Sequence, residues 1–348
     1  MRGVVFLGDR KLEIQSFPDP TPEVDEVVIA VKASGMCGSD LHPYRATEGA
    51  SAALGLGDVS GPVIAGHEPC GVVVARGAGV SAAEAPDGQR VMIHHYLGCG
   101  RCKHCRIGYT QMCLNGSVVY GMTGHGAHAD FMKIPASTLI PLPDELSFEE
   151  GAAISCGTGT AFLALKRLDV SGRDTLAIFG QGPVGLSATM LARAMGARVI
   201  AVDLSAERRQ IAQEFGAEVV IDPAAVNPVA AIRDLTHGEG ADAALDCSGN
   251  PDARVAAVKA TRAWGRMCFV GEGGKTTFNI SQDIIRKQLT LYGSWTFSTV
   301  GQEECARFIV DRQVPLKRLL THHFSLDQAV DAYRLFDTQT TGKGVFLF

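Results

Sequence analysis

The chain has 348 residues and a formal net charge of −5; 46% of its residues are hydrophobic and 20% are charged. This length suits two domains of ordinary size. A slightly acidic chain has no basic footprint, so nucleic acid and anionic membranes are excluded as expected partners. The first residues contain too short an apolar run for a secretory leader. Ten cysteines without a leader indicate a reducing compartment, so we expect a cytoplasmic protein.

Residues 1–90 are predicted to form a β-rich, barrel-like unit. The runs 26–32 and 70–75 are short, apolar and rich in β-branched residues, which is typical of strands. Glycine and proline separate such runs throughout the segment. Residues 45–62 are small and polar, which indicates a loop.

Two short motifs of this segment contain residues that can bind a metal. The first contains Cys37, Ser39, Asp40 and His42, and the second contains His67 and Glu68. Taken alone, such a cysteine or histidine is more often a core residue than a ligand. Together they favour an open catalytic zinc site, in which two cysteines and one histidine bind the metal and a fourth position stays free. The second cysteine must then come from later in the chain.

A dense cysteine cluster follows at Cys99, Cys102, Cys105 and Cys113. Disulfides or free thiols are the alternative, but bridges between cysteines this close in sequence would be cramped. Four thiolates at this short, regular spacing favour a tetrahedral structural zinc. Because such a site has no open position, we expect it to shape the fold and not to perform the reaction.

The last ligand of the open site is predicted at Cys156, in a stretch of small residues that precedes an apolar helix at 160–168. Two alternatives stand beside this assignment. Cys156 is also compatible with an ordinary buried cysteine at a helix start. A shift of one residue would instead bring Ser155 to the ligand position.

Residues 175–203 contain a dinucleotide-binding signature. A strand at 175–179 and a helix at 186–195 flank a turn that contains Gly180, Gly182, Pro183, Val184 and Gly185. Glycines at such a turn let the backbone approach a pyrophosphate, which rests on the helix N-terminus. Asp203 follows the next strand, 198–202, and can accept from both ribose hydroxyls, so NAD is favoured. Arg208 and Arg209 lie one turn later and leave NADP as the alternative.

Strands and helices alternate after this signature, which predicts a parallel, doubly wound sheet. The predicted elements are helix 207–215, strand 218–222, helix 229–236, strand 241–247, helix 252–263 and strand 266–270. The remaining residues predict a strand at 289–294, a helix at 302–311 and a strand at 344–348. They lack a glycine motif of their own, and from residue 294 the chain is predicted to return to the first domain.

With these motifs in this order, the chain resembles the zinc-dependent medium-chain alcohol and polyol dehydrogenases over essentially its whole length. The resemblance implies an α/β protein with a GroES-like, β-rich catalytic domain and a Rossmann coenzyme domain. The implied bounds are 1–156 for the catalytic domain with a structural zinc lobe at 95–115, 157–293 for the coenzyme domain and 294–348 for the return segment. Homodimers or homotetramers joined through the coenzyme domains are also implied, with tetramers usual in bacteria.

The resemblance further implies two zinc ions in each chain. The catalytic zinc would be bound by Cys37, His67 and Cys156, and the structural zinc by Cys99, Cys102, Cys105 and Cys113. Glu68 would be the carboxylate that approaches the catalytic metal or briefly replaces one of its ligands. Asp40 would orient the ligands from behind.

The same resemblance implies a proton relay and further cofactor contacts. Ser39 and His42 would carry the proton of the alcohol to solvent by way of a ribose hydroxyl of NAD. The further cofactor contacts would be Thr160, Arg208, Val270 and Gly271.

The predicted activity is the reversible transfer of hydride between a small-molecule alcohol and NAD. Polyol-type relatives often have a glutamate where Cys156 stands, so the cysteine favours a small or secondary alcohol over a sugar alcohol. His94, His95 and Tyr96 are predicted either to contact substrate or to pack in the core. A polyol or threonine-type dehydrogenase, a zinc-free reductase of enones or quinones, and a non-catalytic nucleotide-binding protein are the alternatives.

Overall fold

This computed structural model describes residues 1–47, 61–340 and 342–348. Most of the loop predicted at 45–62 lies outside these residues. The first part of the chain forms nine strands within the described residues: β1 (Arg2–Gly8), β2 (Lys11–Ser16), β3 (Glu26–Gly35), β4 (Glu68–Arg76), β5 (Arg90–Ile93), β6 (Tyr96–Leu97), β7 (Val118–Val119), β8 (Phe131–Pro135) and β9 (Leu139–Pro141).

Four helices belong to the same part of the chain: α1 (Leu41–Arg45), α2 (Lys103–Arg106), α3 (Phe148–Ala153) and α4 (Gly159–Arg167). A single π-helical turn, Ile154–Thr158, joins α3 to α4. Ser147 caps α3 by accepting from the Glu150 amide, while the Glu150 side chain reaches back to the Ser147 amide. This reciprocal capping explains why the helix begins there.

The middle of the chain forms a six-stranded parallel sheet with helices between its strands. The strands are β10 (Thr175–Phe179), β11 (Arg198–Val202), β12 (Val219–Ile221), β13 (Ala241–Asp246), β14 (Thr261–Phe269) and β15 (Thr290–Gly293). The helices are α5 (Pro183–Ala194), α6 (Ala206–Glu214), α7 (Pro228–Asp234) and α8 (Pro251–Ala260). The strand order is β12-β11-β10-β13-β14-β15, which is the doubly wound arrangement that the alternating pattern predicts.

The C-terminal residues add α9 (Thr299–Asp311), β16 (Leu320–Phe324), α10 (Ala329–Asp337) and β17 (Lys343–Leu347). β17 pairs with β3, so the chain end completes a seven-stranded mixed sheet in the order β16-β17-β3-β4-β5-β9, with β8 on β3. The predicted α/β fold class, with a β-rich mixed sheet and a parallel sheet, is confirmed. The division of the chain into domains at 156 and 293 stays a prediction.

Two details differ from the sequence expectations. The helix predicted at 252–263 is wrong at its end, because α8 stops at Ala260 and β14 begins at Thr261. Thr261 pairs with Ala241 in the sheet, and its hydroxyl donates to the Ala257 carbonyl at 2.8 Å. β16 and α10 were not predicted at all.

One buried apolar cluster joins the two sheets. It runs from Ala33 and Met92 of the mixed sheet through Phe162 of α4 to Leu176 of the parallel sheet. Ile154 of the π-helical turn belongs to the same cluster, so this turn lies where the two sheets meet. None of the helices within the described residues is long and apolar enough to span a membrane.

Candidate active site and metal centres

Three chain segments meet at the junction of the two sheets and bring four candidate ligand side chains together. Cys37 follows β3, His67 and Glu68 stand at the start of β4, and Cys156 lies in the π-helical turn. The sheet register explains the meeting, because Gly35 at the end of β3 pairs with Glu68 at the start of β4. The four candidate ligand atoms all lie within 4.8 Å of one another. Single-turn π-helices are frequent at functional sites.

The side chains around this cluster aim its donor atoms inward. Nδ1 of His67 donates to Oδ1 of Asp40 at 2.8 Å, which leaves Nε2 for a metal. Oδ2 of Asp40 accepts from the Cys37 amide at 2.8 Å. The Sγ atoms of Cys37 and Cys156 are 3.9 Å apart. The Ser39 hydroxyl lies 3.1 Å from His67 Nε2 and 3.3 Å from Cys37 Sγ.

The two thiols and the imidazole strongly influence one another's protonation. A hydrogen bond from the Cys156 thiol lowers the pKa of Cys37 well below its usual range, against the opposing effect of burial. The same hydrogen bond, together with burial, raises the pKa of Cys156. Burial lowers the pKa of His67, but the charges of Asp40 and Cys37 more than offset it and the net shift is upward. Protons shared in this way are those that a metal displaces when it binds.

The cluster fits a zinc ion on the chemistry of its donors. Two sulfurs and one imidazole nitrogen form a known ligand set for catalytic zinc, with a further position left open. Glu68 is completely buried, and its Oε1 has no hydrogen-bond partner within the described residues. A buried polar atom without a partner is costly unless something else satisfies it, and a cation beside the sulfurs would do so.

Lys343 is a residue of this site that the sequence interpretation missed. Its ammonium forms an ion pair with Oε2 of Glu68, and it donates to the Met36 carbonyl at 3.1 Å. The side chain is only 1% exposed. Burial lowers the pKa of Lys343, but the charges of Glu68 and Cys37 raise it more, so the lysine is held in its charged form. No signal in the sequence singles out this lysine at the start of β17.

The structure also separates the alternatives around the third ligand position. The Ser155 hydroxyl donates to the carbonyls of Pro69 and Gly151 at 2.9 and 3.0 Å, whereas Cys156 faces Cys37. His95 lies beside the cluster, with its ring centroid 5.1 Å from that of His67. His94 instead faces Gln302, whose Oε1 is 3.2 Å from His94 Nδ1.

Ser39 and His42, the predicted relay residues, differ in their exposure to solvent. Ser39 is half-buried between the ligating side chains, as its two contacts with them indicate. His42 is exposed on α1, one short turn further along the chain. The pair therefore extends from the cluster to the surface.

The second group of ligands is the cysteine lobe, residues 95–115. The sulfur atoms of Cys99, Cys102, Cys105 and Cys113 all lie within 4.8 Å of one another, and none of these cysteines forms a disulfide. Sulfurs at the corners of a zinc tetrahedron are about 3.8 Å apart, given Zn–S bonds of about 2.3 Å. Backbone amides also point at the sulfurs, as in the 3.2 Å contact from the Cys99 amide to Cys113. The lobe therefore fits a closed structural zinc site.

The glycine turn after β10 leaves space where a pyrophosphate would lie. A side-chain carbon on Gly185 would lie 1.9 Å from the Gly180 carbonyl oxygen, so only glycine lets the helix start approach the strand end. A side-chain carbon on Gly182 would meet nothing nearer than Arg208, at 3.8 Å. α5 begins directly at Pro183, and Val184 lies in its first turn, so its free amides face this space.

Asp203 is held in place at the end of β11. Its Oδ2 accepts from the Gln181 amide at 2.5 Å, and its Oδ1 accepts from the Ser205 amide at 2.8 Å. A carboxylate offers about four lone-pair sites, so two remain for the hydroxyls of a ribose. The Arg209 guanidinium beside this site is occupied, because it donates to the Asp203 carbonyl at 2.8 Å and pairs with Asp222 at 2.9 Å.

Two of the other predicted cofactor residues follow a strand of the same sheet. Thr160 is buried in α4, and Val270 and Gly271 follow β14. Sequence interpretation missed Arg254 of α8, which pairs with the buried Asp246 at 3.1 Å. Arg254 also donates to the Gly271 carbonyl at 2.5 Å, and so ties down the loop after β14.

Comparison with known families agrees with these features. Residues 23–144 match the profile described as "Alcohol dehydrogenase GroES-like domain". Residues 183–311 match the one described as "Zinc-binding dehydrogenase". The two matches cover the segment that holds Cys37, His67 and the cysteine lobe, and the segment that begins in the glycine turn.

Individual proteins match over nearly the whole chain. An uncharacterized zinc-type alcohol dehydrogenase-like protein of Escherichia coli K12 is 41% identical, over 98% of this chain and 97% of its own length. The sorbitol dehydrogenase of Bacillus subtilis is 32% identical, over 95% of this chain and 92% of its own length. The solved structure of an alcohol dehydrogenase from Thermus sp. ATN1 superposes with a TM-score of 0.89 at 29% identity, covering 100% of this chain and 99% of that one. The chain therefore belongs to the zinc-dependent medium-chain dehydrogenase/reductase family.

Proposed function

We propose that this protein is a zinc-dependent alcohol dehydrogenase that transfers hydride reversibly between an alcohol and NAD. The observation that supports this function most strongly is the convergence of Cys37, His67 and Cys156 beside the buried Glu68. A zinc-free reductase of the same superfamily does not require two thiols and an imidazole in one place, because it binds no catalytic zinc. A non-catalytic nucleotide-binding protein does not require such a set either.

In this proposal each residue near the cluster has a definite task. Cys37, His67 and Cys156 hold a zinc ion, which when bound supplies Lewis-acid polarisation of the substrate oxygen. Asp40 holds the His67 imidazole in the tautomer that presents Nε2. Ser39 would accept the proton of the substrate hydroxyl while it gives its own proton to a ribose hydroxyl of NAD, and the exposed His42 would pass the proton from there to solvent. Glu68 and Lys343 form a buried ion pair behind the ligands, and burial raises the pKa of Glu68 to about 8 against the opposing charge of Lys343.

We favour a small or secondary alcohol as the substrate. The third ligand is a cysteine and not the glutamate usual in polyol-type enzymes. Aromatic rings also lie close by, since the centroid of His95 is 4.3 Å from that of Tyr96, and that of Tyr96 is 5.8 Å from that of Trp295. Aromatic side chains beside the cluster favour substrates that have an apolar substituent.

A polyol or a threonine-type amino alcohol is the second candidate, and one observation favours it. Nδ1 of His95 donates to the Ser155 carbonyl at 2.9 Å. Burial lowers the pKa of His95 well below its usual range, so the ring is neutral and its Nε2 is an acceptor. An acceptor near the metal cluster suits a substrate with a second hydroxyl or an ammonium group.

A substrate panel tests the proposed function. NADH or NADPH formation is followed by absorbance with primary, secondary, diol, polyol and amino alcohols, on protein whose zinc content has been measured. We expect turnover with NAD and at least one of the alcohols. Zinc-loaded protein that binds NAD but oxidises none of them would contradict the proposal.

The preference for NAD is predicted to depend on Asp203. Replacing Asp203 with alanine removes an ionised acceptor of ribose hydroxyls, which is worth about 1.5–3 kcal/mol. The kcat/KM for NAD should then fall about tenfold to a hundredfold, with little loss for NADP. Asp234→Asn, at an exposed residue of α7, is the control and should leave the ratio of the two cofactors unchanged. Equal kcat/KM for NAD in Asp203→Ala and the parent would refute this role.

We further propose that the protein forms homodimers or homotetramers through the parallel sheet. β15 is an edge strand of that sheet, and Leu291 within it and Trp264 near it expose apolar surface. An exposed apolar edge strand tends to pair with another chain. Leu291→Lys should therefore yield monomers in sedimentation, whereas Val24→Lys, at another exposed apolar residue, should not. A parent protein that sediments as a monomer would contradict the proposal.

We also propose a cytoplasmic location, because the free state of all ten cysteines suits a reducing compartment. The bounds predicted from the resemblance, 1–156, 157–293 and 294–348, are our proposed domain division. Two zinc ions per chain, one at each ligand group, complete the proposal.

A further inference from the structure

We propose that Tyr333 and His128 are positioning residues of the candidate catalytic metal site, and that they act on His67 through Asp40. This inference rests on the proposed function, because it concerns the metal that Cys37, His67 and Cys156 would bind. Within the described residues, neither side chain has a hydrogen bond to a candidate ligand. Both stand far from the ligands in sequence, and neither belongs to a motif that the sequence interpretation used.

A continuous hydrogen-bonded chain connects these residues to the cluster. The Ser34 hydroxyl lies 2.8 Å from Nδ1 of His128, and Nε2 of His128 lies 2.7 Å from the Tyr333 hydroxyl. The Tyr333 hydroxyl lies 3.3 Å from Oδ2 of Asp40. Oδ1 of Asp40 accepts from Nδ1 of His67 at 2.8 Å. Each of the five residues in this series of hydrogen bonds is at most 2% exposed.

The direction of each hydrogen bond follows from the chemistry of its ends. Asp40 as a carboxylate only accepts, so the Tyr333 hydroxyl donates to it. The Tyr333 oxygen then accepts from Nε2–H of His128, and Nδ1 of His128 accepts from Ser34. Burial lowers the pKa of His128 to about 4, so its ring is neutral and has one donor and one acceptor, as this arrangement requires. Burial and the nearby Asp40 raise the pKa of Tyr333, which keeps its proton on the phenol.

This series of hydrogen bonds restricts the rotation of the Asp40 carboxylate. Its Oδ2 has two donors, the Cys37 amide and the Tyr333 hydroxyl, so the carboxylate plane is set from two sides. Without the hydroxyl, only the amide remains on Oδ2, and Asp40 can rotate and take the His67 ring with it. A partner bonded directly to a ligand, as Asp40 is, typically changes metal affinity or activity 10–100-fold when it is removed, and Tyr333, one hydrogen bond further out, contributes part of that effect.

The surrounding packing holds the two residues firmly. The Tyr333 ring lies edge-on to Phe6, with centroids 4.8 Å apart, and its centroid is 5.4 Å from that of Tyr44. His128 packs directly against Gly66, where an added side-chain carbon would lie 2.4 Å from Nδ1. Gly66 immediately precedes His67, so His128 contacts the backbone beside the ligand as well as the chain that leads to Asp40. α10 thereby connects the C-terminal part of the protein to the metal site.

The test is Tyr333→Phe, which keeps the ring and removes only the hydroxyl. The rate of zinc loss to a chelator is measured at both metal sites, and the visible spectrum is recorded with cobalt in place of zinc. We expect the zinc at Cys37, His67 and Cys156 to leave about twofold to tenfold faster, as the loss of one hydrogen bond implies. The cobalt spectrum of this site should shift, and the rate at the cysteine lobe should not change. Tyr44→Phe removes a hydroxyl from the same aromatic cluster without touching Asp40, and should behave as the parent protein does.

His128→Phe provides an independent variant. If His128 acts through Tyr333, His128→Phe should speed zinc loss in the parent protein but add little in the Tyr333→Phe background. Zinc loss and cobalt spectra identical to the parent in both single variants would overturn this inference and leave the proposed function intact. A parent protein that binds zinc only at the cysteine lobe would overturn the proposed function, and this inference with it.

Discussion

Replacing Cys37 with alanine is expected to abolish alcohol oxidation and to leave the fold intact. The substitution removes one of three ligands, and the Cys156 thiol, 3.9 Å away, loses its hydrogen-bond partner. Lewis-acid stabilisation by a bound metal is worth several kcal/mol, so its loss should lower kcat/KM by at least about a thousandfold. The measurements are steady-state kinetics, zinc content and the circular dichroism of the variant.

Cys102→Ser is the matched control for this prediction. It also removes one thiolate from a metal site, but the site lies in the cysteine lobe. Both variants should lose about one zinc per chain relative to the parent. Cys102→Ser should lower thermal stability or loosen the oligomer, while its remaining folded fraction turns over substrate. Full turnover in Cys37→Ala would show that the zinc mechanism is wrong.

Lys343→Met is expected to produce the largest loss of stability among these variants. It removes the cation paired with Glu68, and both side chains are almost completely buried. A buried ion pair that loses one partner typically costs about 3–5 kcal/mol where the other group stays charged. Because burial already raises the pKa of Glu68 to about 8 against the opposing charge of Lys343, we expect the full loss above that pH and a smaller one below it, where Glu68 takes up a proton. The free energy of unfolding, measured with urea, should fall by about that amount.

Two further variants separate charge from packing at Lys343. In Glu68→Gln/Lys343→Met the uncompensated charge is gone, so most of the lost stability should return. Lys166→Met removes a lysine that pairs with Glu304 at the surface, and should change stability by less than about 1 kcal/mol. If the double variant is as unstable as Lys343→Met alone, the buried charge of Glu68 is not the cause.

The parts of the fold that local patterns determine were predicted well. β10 and β11 have the residue bounds that the sequence predicts, because a strand buried on both faces shows a continuous apolar run. The position of the glycine turn between β10 and α5 follows from its local spacing, whereas the role of Asp203 in cofactor binding stays a prediction. α10 was missed although its apolar residues recur at helical spacing. At nine residues it is too short to be stable by itself and depends on packing around Tyr333.

The parts of the candidate site that depend on distant contacts were not predicted from the chain itself. Lys343 meets the backbone of Met36, 307 residues away, and Tyr333 meets Asp40, 293 residues away. Neither residue differs in its local sequence from an ordinary lysine or tyrosine. Such residues become visible only when β17 and α10 are seen packed against the end of β3. Sequence patterns therefore indicate which residues can bind a metal, and the fold shows which side chains hold them in place.

The dependence of turnover on metal content tests the central claim most directly. A chelator is added stepwise to the parent protein, and zinc per chain and the rate of NADH formation are measured at each step. The open three-ligand site should release its metal first, so activity should vanish as the content falls from two zinc ions per chain to one, and return when zinc is restored. Undiminished NADH formation at one zinc per chain or fewer would contradict the account.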